Sequence, residues 1–281
     1  FNIYIFLHMK EVCISIHQGI GDLFNSIGII NYYSDKYDKV YVYLLNNIRL
    51  QIYNEIFKYK NNVIPLIPKF KNYANVKHPN TCFNCMTIGR IESCFRDNNI
   101  QCKYVNYDNS KFDYIKIGSF NNAEKWEIFR RNKFSFAHAF YEYANLDLNF
   151  RFSYFKLYND KQKENKIYDN FIKKYGDKYI LIHNDHQRYR KNIIDENKFI
   201  NKNIPVINLD KISDNFVDYL KVIKNAQEIH LIDSSWSVFI YLLSYNFVKN
   251  IPVFLNEKYF KSLGRDTNIY KNPTFTNWTF Y

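Results

Sequence analysis

The sequence predicts an α/β protein of two Rossmann-like halves that face each other across a cleft. Three observations carry this expectation. Short β-branched runs alternate with stretches of helical periodicity along the whole chain. The series restarts after a break near residues 148–160. The 281-residue length suits two compact domains. Strands separated by helices imply parallel sheets covered on both faces. The expected halves are residues 1–150 and residues 151–281.

In the first half, Val12-Cys-Ile-Ser-Ile16 is apolar and β-branched, the pattern of a buried strand. Leu23, Phe24, Ile27, Ile30 and Tyr33 then recur at helical spacing. Val40 to Leu44 predicts a second strand, and 48–59 a helix. Val63 to Ile67 is a third strand or the edge of one. Residues 69–110 are rich in Asn and Lys and carry no clear period. Tyr114 to Ile117 is a further strand, and 123–144 reads as one or two helices.

In the second half, Lys161 to Tyr175 predicts a polar-faced helix, and Lys178 to His183 a strand. Ile204 to Asn208 is the next strand. Phe216, Leu220 and Ile223 share one face of a helix over 215–226. Glu228 to Asp233 is a strand, Ser234 to Tyr245 the helix after it, and Ile251 to Leu255 closes the series. No internal repeat or low-complexity linker is present.

Composition narrows the function classes. Apolar residues make up 47% and charged residues 23%, which excludes a disordered or fibrous chain. The net charge is +12. It is spread evenly, with 18 basic and 13 acidic residues up to position 150, and 21 and 14 after it. No basic tail and no nucleic-acid motif accompany it, so a nucleic-acid partner is not expected. Such a partner would show as an affinity falling steeply with salt. The 26 Tyr and 25 Phe are expected to fill cores. The longest apolar stretches are strand-length, so no transmembrane segment is expected. Met9 is the expected natural start, with residues 1–8 either upstream read-through or a short extra strand. The cysteines Cys13, Cys82, Cys85, Cys94 and Cys102 are odd in number, which argues against a disulfide framework. Cys82-Phe-Asn-Cys85 followed by Cys94 and Cys102 could form a zinc knuckle, but the spacing after the first pair is not a common zinc pattern, so reduced thiols are expected there and no metal.

Doubly wound sheets bind ligands at the carboxyl ends of their strands. Three segments fall there. The first is His17-Gln-Gly-Ile-Gly-Asp22. Gly19 and Gly21 allow close backbone approach, and the following helix offers its positive end. The pattern is neither a dinucleotide fingerprint nor a P-loop. Asp22 has two readings, a helix cap and a general base for an acceptor hydroxyl. The second segment is His183-Asn-Asp-His-Gln-Arg-Tyr-Arg-Lys191. Arg188 and Arg190 suit forked hydrogen bonds to a diphosphate, or else form a solvated basic loop. His183 suits positioning more than catalysis. The third is Glu228 to Ser237, where Asp233 ends a strand and Ser234 and Ser235 open a helix. The serines are good caps, and a helix start also suits a phosphate or a sugar hydroxyl. Asp210, after the strand ending at Asn208, is a candidate nucleoside contact. No G-x-S-x-G, H-E-x-x-H or D-x-D pattern is present.

Together, Gly19-Ile-Gly-Asp22 and Asp233-Ser-Ser235 resemble the corresponding turns of heptosyltransferase-like glycosyltransferases of the GT-B fold. That family has Asp-Thr-Gly and a nearby His at the second turn, where this chain has Asp-Ser-Ser. The chain is also similar to glycosyltransferase-like proteins of giant viruses and marine microbes. That similarity rests on Phe140-Tyr-Glu142, Arg151-Phe-Ser-Tyr-Phe155, His183-Asn-Asp185, Glu228 to Ser235 and Trp278.

The resemblance implies an inverting, metal-independent transfer from a nucleotide-sugar donor to a glycan or other hydroxyl acceptor. Residues 1–150 would serve the acceptor side, with Asp22 as base. The donor would sit mainly on residues 151–281, at His183, Arg188, Arg190, Asp210, Asp233, Ser234 and Ser235, with Gly19 and Gly21 of the first half also contacting it. It implies no cofactor and a cytoplasmic setting, the host's if the source is viral. The competing expectation is a non-catalytic Rossmann-like module that binds a glycan or a protein.

Overall fold

The computed structural model describes residues 10–16, 19–44, 47–66, 113–117, 136–184, 194–209, 216–245, 250–256 and 277–281. It divides into two compact units, residues 1–156 and 157–281. Among the described residues, no helix is long and apolar enough to cross a membrane.

The first unit is built on four strands in the order β3-β2-β1-β4. They are β1 (Glu11–Ser15), β2 (Lys39–Tyr43), β3 (Val63–Leu66) and β4 (Asp113–Lys116). Every described pairing is parallel, with Val12 opposite Val40 and Asp113. Val12, Cys13 and Ile14 are consecutive and all buried, as a central parallel strand covered on both faces requires. β3 carries Pro65 opposite Val42. Proline lacks the amide donor, so it is tolerated at this sheet edge.

Helix α1 (Ile20–Ser34) is the keystone of the unit. It touches β2, α2 (Asn47–Phe57), α3 (Phe136–Tyr143) and α4 (Phe150–Ser153). Its burial therefore extends beyond one stripe, to Ser26, Gly28 and Asn31 as well as its apolar residues. Gly28 is where the backbones come closest. A Cβ there would lie 2.6 Å from the Phe150 carbonyl oxygen and 2.9 Å from the Arg151 Cα, and against the Tyr141 hydroxyl. The buried Asn31 amide donates to the carbonyls of Tyr154 (2.9 Å) and Lys156 (3.3 Å). The Tyr33 hydroxyl donates to the Ala144 carbonyl at 2.8 Å. Tyr32 stacks on Phe150 with ring centroids 5.2 Å apart. The contacts of residues 150–156 keep them with the first unit, so the contact boundary after Lys156 lies inside the break near 148–160 and slightly beyond the expected limit of 150.

The second unit has five strands in the order β6-β5-β7-β8-β9, all described pairs again parallel. They are β5 (Ile180–Ile182), β6 (Val206–Asn208), β7 (Glu228–Leu231), β8 (Val253–Leu255) and β9 (Trp278–Phe280). Helix α5 spans Lys161–Tyr175, the expected range. Local signals fix both of its ends. The Asp160 carboxylate accepts the amides of Gln162 and Lys163, and Gly176 ends the helix at φ 88°. The helix expected over 215–226 is shorter, a 3-10 turn (Val217–Tyr219) running into α6 (Leu220–Lys224). Helix α7 (Ser235–Ser244) follows β7.

Two elements are additions to the expected series. A 3-10 helix, Glu196–Lys202, starts on the Asp195 side chain, which accepts the Asn197 amide. Strand β9 extends the sheet past Leu255. The Trp278 indole N–H donates to the Ser244 hydroxyl at 2.9 Å and its ring packs edge-on against Tyr241. Three residues have too little pattern to announce a strand, so this one is fixed by its partners.

Two outcomes are expected. Gly28→Ala forces α1 off α3 and α4 and should cost about 1–3 kcal/mol in a denaturant titration of the whole chain. The second concerns His138. Burial and the nearby Arg151 charge hold its pKa below the ordinary 6.5. The unfolded chain therefore takes up the proton more readily than the fold, and stability is lost as pH falls below 6.5. Calorimetric melting of His138→Gln should fall less than wild type between about pH 7 and pH 5.

Candidate functional site

The carboxyl ends of parallel strands lie on one edge of a sheet, and a crevice opens where the strand order reverses. In the second unit that reversal lies between β5 and β7. The His183 amide donates to the His230 carbonyl at 2.9 Å, carrying the β5–β7 pairing one residue past the strand. His183 is thereby set at the seam itself. It is buried, with its ring centroid 6.4 Å from that of Trp236. Asp233 and Ser234, buried after β7, occupy the neighbouring tip. The sequence candidates His183, Asp233, Ser234 and Ser235 therefore all stand at the tips of β5 and β7.

The local chemistry of this turn is a cap. Ser234 accepts the Ser237 amide at 3.3 Å, and the Ser237 hydroxyl accepts the Ser234 amide at 3.0 Å. Ser237 fills the place that a Glu or Gln takes in the usual reciprocal box. Ser235 and Trp236 begin the helix, so their amides belong to the first-turn donors that point along the axis. Trp236 is wedged against Phe216, with centroids 4.1 Å apart, and Phe239.

In the first unit the reversal lies between β1 and β4, and Gly19 to Asp22 follow β1. The Gly19 amide donates to the Asp22 carboxylate at 2.8 Å. A Cβ on Gly19 would meet that carboxylate oxygen at 2.7 Å, while the Gly19 φ of −81° suits any residue. The close contact is with the end of the Asp22 side chain alone, the nearest backbone atom being 3.8 Å away, so a side chain at position 19 would displace the carboxylate and not the backbone. The capping reading of Asp22 is realised in the structure, and the half-buried carboxylate sits at the helix start. Gly21 lies in the first turn of α1.

Arg188, Arg190 and Asp210 lie outside the described residues, as do Met9, Cys82, Cys85, Cys94 and Cys102. Cys13 is buried in β1. A surface hollow lined by Glu196, Phe199, Asn203, Pro205 and Val206 lies at the amino end of β6, the edge opposite the strand tips. Two buried amides at the tips escaped the sequence reading. Asn208 ends β6 opposite Ile182, and Asn184 follows His183. An amide at the end of an apolar strand was the available signal.

No protein-family model matches the chain, and no curated protein matches it. Among solved structures, the chain is similar to a glycosyl transferase family 9 protein from Veillonella parvula DSM 2008. The TM-score is 0.49 at 10% identity, over 97% of this chain and 86% of that one. A likeness this loose assigns neither an activity nor a fold family.

Ser234→Ala removes the acceptor for the Ser237 amide. It should lower the stability of the chain by about 1 kcal/mol in denaturant unfolding.

Proposed function

We propose that the chain is a glycosyltransferase, transferring a sugar from a nucleotide-sugar donor to an acceptor hydroxyl with inversion and without a metal. One observation carries the reading. The Gly19–Asp22 turn and the Asp233–Ser235 turn each follow a strand that borders the reversal of its own parallel sheet. Such positions receive phosphorylated ligands in doubly wound folds. Both turns are also the ones that resemble the heptosyltransferase-like enzymes.

In this reading the second unit takes the donor. Asp233 holds a sugar hydroxyl, and His183 orients the group beside it. The first-turn amides of α7 with Arg188 and Arg190 face the diphosphate, and Asp210 faces the nucleoside. The acceptor oxygen forms a bond to the anomeric carbon as the bond from that carbon to the diphosphate oxygen breaks. The diphosphate leaves with the electron pair, and the amides and guanidinium groups stabilise its growing charge in place of a cation. Asp22 takes the proton of the acceptor hydroxyl. A single displacement inverts the anomeric centre.

The hydrogen bond from Gly19 to Asp22 favours a second reading, in which the carboxylate is a cap alone and the units bind without turnover. Asp22→Asn separates the two. Its amide oxygen still accepts the Gly19 N–H, so the cap survives while the basicity is lost. Transfer should fall at least about a hundredfold, with nucleotide binding unchanged. Thermal melting with UDP, GDP and ADP should show stabilisation by at least one. No response to any of the three would favour a glycan- or protein-binding module.

A further inference from the structure

We draw no further inference here: the strongest candidate, the surface hollow at the amino end of β6 lined by Phe199, Asn203, Pro205 and Val206, has nothing among the described residues to show what covers it.

Discussion

Parallel strand pairing is the constraint on which the rest of the structure depends. In every described ladder the strands run the same way, so all carboxyl ends of a sheet share one edge. Chain that leaves a strand there must turn, and it turns with polar residues because its backbone groups need partners. Gly19 to Asp22, His183 and Asn184, and Asp233 to Ser235 are all such turns. The hydrogen bond from the His183 amide to the His230 carbonyl shows the ladder reaching into the turn itself.

These polar groups each have a structural job. Asp22 closes the start of α1, Ser234 and Ser237 close the start of α7, and Asn184 ties down both backbone groups of Ile194. Each role is sufficient to explain the residue as a matter of folding. Each also leaves a rigid polar group at the edge where a ligand would dock, and rigidity is what a binding site needs. The structural role and the ligand role are therefore compatible at these positions. Activity has to be separated from stability by substitutions that keep the cap and change the chemistry.

The two units solve the burial problem differently. The first draws its non-sheet packing onto one helix, with Gly28 permitting backbone contact that any side chain would block. The second spreads its core over aromatic contacts. His230 stacks on Phe254 with centroids 4.5 Å apart and meets Phe199 edge-on, while Glu228 accepts from its ring at 3.1 Å. A histidine can be buried in a central strand here because its polar edge has a carboxylate and its faces have rings.

The sequence by itself determined the α/β class, the approximate place of most described strands, and the polar turns after β1 and β7. These are short-range properties: β-branched runs, helical periodicity, and caps such as Asp160 and Gly176 that act within one turn. Helix α5 was legible to the residue for that reason. Strand order, the seam between β5 and β7, the tie from Asn184 to Ile194, the space under Gly28 and the existence of β9 were decided only by the tertiary structure. Each depends on which distant segment arrives alongside. Hydrogen bonding and close packing across such separations leave no period in the sequence from which they could be read.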